Sequence, residues 1–175
     1  YDHTGARVKK TVDNTATEYQ WAGDLLLSEK TDGRIIWYCY DSQANLIFVT
    51  IRGITYFYVR NVQGDIIALV DADGKVIVKY TYDGWGKVVA VTGELADTVG
   101  VQNPFRYKGY YYDNETGMYY LKSRYYDAEI KRFICADGYF STGVGKHDCN
   151  MFLYCNNNPI MNVDVNGYSF KIGRA

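Results

Sequence analysis

The chain has 175 residues, enough for one domain or for a slice of a larger repetitive one. Its 19 Lys and Arg against 20 Asp and Glu leave a net charge of −1, which offers no basic surface for nucleic acid and no charged tail. Hydrophobic residues reach 47%, but 19 residues are tyrosine, whose ring is buried while its hydroxyl finds water or a backbone partner; that suits thin β-walls, and no apolar run approaches the roughly 20 residues of a membrane span.

The chain opens at Tyr1-Asp2-His3-Thr4-Gly5, inside a repeat and without Met, so it reads as a piece of a longer protein. The repeat is Tyr-Asp, two or three residues, Gly or Asn, a basic or polar residue, then β-branched residues. It stands at 1–8, 40–46, 58–67, 82–88, 112–118 and 126–133. The anchors Tyr1, Tyr19, Tyr40, Tyr58 and Tyr80 recur about every 20 residues, a solenoid-type period. Each unit predicts a β-hairpin. Strands are expected over 34–40, 54–59 and 75–82, where alternating or aromatic β-formers run together. Asp32-Gly33, Gly64-Asp65 and Asp73-Gly74 supply turns between them. Pro104 and Pro159 are the only prolines, so the strands keep their ladder donors.

Residues 94–103 carry neither strand nor repeat character and mark a boundary. The expected organisation is a repeat strip over 1–93, a connector at 94–102, a Tyr-rich core over 103–168 and the start of a C-terminal extension at 169–175. Beyond residue 138 the composition turns to Gly, Asn and Ser, which predicts irregular loop with a short helical turn near Met151-Phe152-Leu153. Cys39, Cys135, Cys149 and Cys155 form no CxxC pair; buried free thiols are expected rather than a metal site or a disulfide framework. Asp71-Ala72-Asp73-Gly74 resembles the start of a calcium loop, but Tyr82 stands where the closing Glu belongs, so a hairpin turn is expected there. The repeat tyrosines could form a sugar-binding platform, or stack along the sheet as structure.

The densest signal is 103–139, where Tyr107, Tyr110, Tyr111, Tyr112, Tyr119, Tyr120, Tyr125 and Tyr126 crowd among Gly, Asn and Asp. The pieces are Gly109-Tyr110-Tyr111-Tyr112-Asp113, Gly117-Met118-Tyr119-Tyr120-Leu121, Ser123-Arg124-Tyr125-Tyr126-Asp127, Arg132-Phe133-Ile134, Ala136-Asp137-Gly138 and Asp164-Val165-Asn166-Gly167-Tyr168. Together with the repeats they resemble the Rhs/YD-repeat family and its repeat-associated core. The resemblance implies an all-β fold: antiparallel hairpins forming part of a curved shell wall, capped by a Tyr-rich plug. It also implies a large secreted or cell-surface bacterial protein of polymorphic-toxin type, whose core acts as an intramolecular aspartic protease. Such a core cuts after a closing motif of the form Asp-Pro-x-Gly-Leu and frees a C-terminal effector. Carried over by position, the catalytic aspartates are Asp137 and Asp164, and the cut falls between Tyr168 and Ser169. Val165 stands here for the usual Pro, Tyr168 for Leu, and Gly138 for a Pro found in many members. The implied partners are neighbouring YD repeats of the same parent chain and the effector polypeptide. No cofactor, metal, nucleic acid or membrane span is expected for this segment.

The residues themselves leave alternatives open. Peptide hydrolysis by carboxylates needs two of them close enough to share a proton; apart, Asp137 and Asp164 are turn residues. Arg132, five residues before Asp137, could hold the pair or polarise the scissile carbonyl, with Arg124 and Arg106 as rivals; otherwise it is an exposed or strand-pairing Arg. Asn166-Gly167 offers a separate route, succinimide formation, or is a plain turn. The function is therefore either self-cleavage that releases an effector, or a non-catalytic shell or cell-surface scaffold.

Overall fold

A computed structural model describes residues 1–3, 5–137, 150–164, 166–168 and 170–172. Nine strands follow one another in chain order: β1 (Lys9–Val12), β2 (Thr15–Ala22), β3 (Leu25–Thr31), β4 (Arg34–Tyr40), β5 (Leu46–Ile51), β6 (Ile54–Arg60), β7 (Ile66–Val70), β8 (Val76–Tyr82) and β9 (Val88–Thr92). They form one sheet in which each strand neighbours the next, with antiparallel registers from β1 to β8. The fold is all-β and antiparallel.

Two kinds of turn make this meander. The β3–β4 and β5–β6 links are two-residue turns at Asp32-Gly33 and Arg52-Gly53, both residues of each having positive φ, the backbone that matches the twist of the flanking strands. The longer turns are capped by an Asp or Asn side chain. Asp41 Oδ1 accepts the N–H groups of Gln43 and Asn45, both at 2.8 Å. Asn61, Asp71 and Asp83 repeat the pattern two and four residues ahead. The Asp of a Tyr-Asp pair is thus a turn cap that gives backbone donors a partner where the ladder cannot. Asp71, the first residue of the calcium-like run, spends its Oδ1 on its own turn.

The chain divides into two compact units. The first holds 1–60, 66–80 and 91–103. Its interior includes Tyr38, Val49, Ile51, Tyr56, Leu69, Val78 and Tyr80. Buried hydroxyls need partners. Asn103, fully buried, accepts from Tyr58 at 2.8 Å and donates to the Tyr80 hydroxyl at 3.1 Å, and Tyr80 donates to the Gly100 carbonyl. The 94–103 stretch contains a short helical turn, Ala96–Gly100, and the Leu95 N–H bonds the Ile77 carbonyl.

The second unit holds 61–65, 81–90 and 104–175. Its strands β10 (Tyr111–Asp113), β11 (Met118–Tyr120), β12 (Tyr125–Asp127) and β13 (Arg132–Phe133) form an antiparallel sheet, and β14 (Asn162–Asp164) pairs with β15 (Phe170–Ile172). Its core is Tyr107, Tyr110, Tyr119, Leu121, Tyr126, Ala128, Phe133, Tyr154 and Cys155. Three tyrosines donate to consecutive carbonyls of one turn: Tyr107 to Gly84, Tyr126 to Trp85 and Tyr119 to Gly86. Gly86 has φ +90°, and a Cβ there would meet the Tyr107 ring, with Cγ at 2.6 Å and Cε1 at 2.8 Å. Short helical turns of this unit lie at Tyr107–Gly109 and Cys155–Asn157; the expected one near Met151-Phe152-Leu153 falls instead just after Tyr154, which is buried in the core. Of the thiols, Cys155 is buried and Cys39 half-buried, but Cys135 is exposed, contrary to the expectation that all are buried; the residue lies just past β13, the last strand of its sheet. Cys149 lies outside the described residues.

Candidate functional site

The loop between β11 and β12 is short, and it throws one long side chain inward. Leu121 donates its N–H to the Arg124 carbonyl at 2.9 Å, and Lys122 takes a positive φ to close the turn. Arg124 directly precedes β12, with its side chain only 5% exposed. In the β12–β13 register Tyr126 faces Phe133, and the Arg124 guanidinium lies over the Phe133 ring at 3.6 Å from its centroid.

A buried guanidinium needs its donors spent. Arg124 Nε donates to the Gly167 carbonyl and Nη1 to the Met151 carbonyl at 3.1 Å. Nη2 reaches two carboxylates: Asp137 Oδ2 at 3.0 Å and Asp164 Oδ2 at 3.3 Å. Asp137 lies just past β13, and its own N–H donates to the same Met151 carbonyl at 3.0 Å. Asp164 closes β14. Asp137 and Asp164, distant in sequence, therefore meet at one nitrogen.

Asp164 is the more enclosed of the two, 2% exposed against 17% for Asp137. Burial holds the Asp164 carboxyl above the ordinary aspartate pKa, and the neighbouring Asp137 pushes the same way. The Gly167 and Asn166 N–H groups and the Arg124 charge oppose it without cancelling it. Those N–H groups reach Asp164 Oδ1 at 2.8 Å and 3.4 Å. The Asp164 N–H donates to the Tyr110 hydroxyl, which also accepts from Tyr154.

The closing motif is seated on the β11–β12 loop. Ser123 Oγ donates to the Asn166 carbonyl at 2.8 Å, and the Ser123 N–H reaches the same oxygen at 3.4 Å. Gly167 is buried with φ +78°, and a Cβ there would meet Ser123 Oγ, the Leu121 carbonyl oxygen at 2.8 Å and the Arg124 nitrogen at 3.1 Å. Only glycine fits. Tyr168 donates its N–H to Asn166 Oδ1 and is 42% exposed; Ser169 lies outside the described residues, as do Gly138 and Val165.

Arg132 sits elsewhere in the unit. It is exposed, pairs with Asp127 across β12–β13, and lines a cleft with Trp85, Lys131, Asn150 and Phe152. Arg106 is buried and donates to Asn114. The arginine that touches both carboxylates is Arg124. The sequence offers Arg124 only as a rival to Arg132; it gives Ser123 no role, and Gly167 one only as the partner of Asn166 in succinimide formation or a plain turn. The signal available was a glycine inside the closing motif, whose need for positive φ and close approach only the packing reveals.

The Teneurin YD-shell family model matches residues 26–160. The chain belongs to the Teneurin YD-shell family. This YD-shell segment is 40% identical over 172 residues to the tRNA3(Ser)-specific nuclease WapA of Bacillus spizizenii, covering 96% of this chain and 7% of that protein. It matches the tRNA(Glu)-specific nuclease WapA of Bacillus subtilis subsp. natto to the same identity and the same coverage. Among solved structures, a Photorhabdus luminescens Tc holotoxin pore superposes with a TM-score of 0.75 at 18% identity, over 100% of this chain and 9% of that one. The YD-shell segment thus spans less than a tenth of each of these relatives.

Proposed function

We propose that this segment forms part of the wall and the closing core of a YD shell, and that the core cuts its own chain after Tyr168 to release a C-terminal effector. The observation that carries the reading is the meeting of Asp137 and Asp164 at Arg124 Nη2, beside the closing motif. The chemistry asks one carboxyl to hold a proton and its partner to accept one. Asp164, with its pKa raised by burial, suits the donor to the scissile carbonyl oxygen. Asp137, the more exposed, suits the base that takes a proton from water. Arg124 is a positioning residue: it binds both aspartates and anchors the closing loop through the Gly167 carbonyl. The two nuclease relatives match this segment equally well yet differ in the tRNA they are named for, which supports reading the matched part as a carrier rather than as the toxic domain.

In this reading 1–93 is shell wall, 94–102 the connector, 103–168 the core and 169–175 the start of the released part. Neighbouring YD repeats of the parent chain and the effector are its partners, and the parent protein is secreted or displayed on a bacterial surface. No helix among the described residues is long and apolar enough to cross a membrane.

A second reading, a non-catalytic scaffold, is favoured by the same arginine. A cation between two carboxylates stabilises both as anions, which suits an ion-pair clamp rather than a shared proton. A carbohydrate platform has less support, since Tyr119, Tyr126 and Tyr154 have no exposed surface and give their hydroxyls to the protein. The test is intact mass and N-terminal sequencing of the full-length parent protein as wild type, Asp137→Asn and Asn166→Ala. A product beginning at Ser169, lost only in Asp137→Asn, supports the self-protease. An uncut wild type leaves the clamp.

A further inference from the structure

The Asn166-Gly167 step carries a set of contacts that belong together. Gly167 donates its N–H to Asp164 Oδ1 at 2.8 Å. The Asn166 side chain is folded forward along the chain, its Oδ1 accepting the Tyr168 N–H at 3.3 Å. The Asn166 carbonyl oxygen takes two donors from Ser123, the hydroxyl at 2.8 Å and the N–H at 3.4 Å. Asn166 itself is only half-buried, so water reaches it.

Each contact serves attack of the Gly167 nitrogen on the Asn166 side-chain amide carbon. That nitrogen must lose a proton, and a carboxylate stands within hydrogen-bond reach of it. The Ser123 donors draw charge onto the carbonyl of the same peptide unit, which makes its N–H more acidic. The Tyr168 N–H sits on the oxygen where negative charge builds. Gly167 lacks the Cβ that would hinder the approach.

We infer that Asn166 is a self-modification site, converted through a succinimide to aspartate or isoaspartate with Asp164 as the base. In the first step a bond forms between Gly167 N and Asn166 Cγ. Asp164 in its ionised form, not the protonated form that donates in self-cleavage, takes the proton from that nitrogen and returns it to the departing amide nitrogen, which leaves as ammonia. In the second step water adds to either succinimide carbonyl and opens the ring. No oxidant, reductant or metal enters. The isoaspartate product routes the backbone through the former side chain, which lengthens the closing loop by one methylene and adds a charge beside Asp164.

The experiment ages the full-length parent protein at neutral pH, folded and in concentrated urea, and quantifies the peptide containing residue 166. Mass spectrometry reads the amide-to-acid change, and an isoaspartate-specific methyltransferase reads the rearranged product. A cut after Tyr168 leaves both readouts intact, because residue 166 stays on the N-terminal side. The expected result is conversion faster in the folded protein by on the order of a hundredfold, the lower end of what a positioned base contributes. Ser123→Ala and Asp164→Asn should bring the folded rate down towards the urea rate. The wild-type rate should climb with pH as Asp164 ionises and then level off. A folded rate equal to or below the urea rate overturns the inference, and that comparison needs only the wild type, so it stands even if a variant fails to fold.

Discussion

Arg124→Met keeps part of the apolar stem but deletes the buried cation that lies over the Phe133 ring. Arg124 is 5% exposed and Asp164 2%, so the change strands a carboxylate that water cannot easily reach. Removing one partner of such a pair costs about 3–5 kcal/mol. The more exposed Asp137 can rehydrate and adds little. The Gly167 and Met151 carbonyls lose their donors as well, so the expected loss lies towards the top of that range. The sign of the pH dependence follows from Asp164. Its folded pKa is raised, so the stability it contributes is complete below the ordinary aspartate value and falls as pH rises through the folded value. Arg124 holds that folded value down; without it the window reaches further upward. The deficit of Arg124→Met should therefore be smallest in acid and grow towards neutral pH. Native-state hydrogen exchange of the Gly167 and Asp137 amides reads the local opening free energy directly. Adding Asp164→Leu to Arg124→Met should recover the part of the loss that comes from the stranded charge, but not the part from the Gly167 and Met151 carbonyls, and the Gly167 N–H loses its acceptor as well. A loss below about 1 kcal/mol, a deficit that deepens on acidification, or a double variant no better than the single would refute the reasoning.

Gly86→Ala and Gly74→Ala make a matched pair. Both glycines have positive φ, but nothing lies within 4 Å of a Cβ at Gly74, whereas at Gly86 it strikes the Tyr107 ring. Thermal melts should show Gly86→Ala costing about 1–3 kcal/mol more than Gly74→Ala, the usual size of an overpacking penalty; equal costs would mean that the ring moves aside freely. Thiol labelling should separate the cysteines: burial pushes the Cys155 thiol up to about 11, so a maleimide at pH 8 should modify exposed Cys135 and leave Cys155 untouched until the protein unfolds. Labelling of Cys155 in the native protein at the rate of Cys135 would contradict its burial.

The hairpins were legible because their causes are local. The expected strand over 34–40 is β4 residue for residue, and those over 54–59 and 75–82 agree with β6 and β8 to within one residue. Alternation, β-branched and aromatic residues, and Asp-Gly turns all act within a few residues of one another. The Asp caps span four residues and leave the same mark in sequence and in structure. The helical turn at Ala96–Gly100 had no such mark. It depends on Gly100 lying against Val78 and Val91, where a Cβ would come to 3.0 Å and 3.1 Å of their side chains.

By itself the sequence determined the class of this protein: Tyr-Asp spacing, turn chemistry and tyrosine density specify a meander of capped hairpins and a ring-rich core. Only the tertiary structure decided which arginine serves the two aspartates. Closeness along the chain points to Arg132, but that residue is exposed, opposite Asp127 in the β12–β13 register, while Arg124, just before β12, lies over Phe133 and on both carboxylates. The site is made of segments far apart in sequence, held by a buried charge that must find partners wherever the fold supplies them. That requirement acts through space and leaves no pattern along the chain.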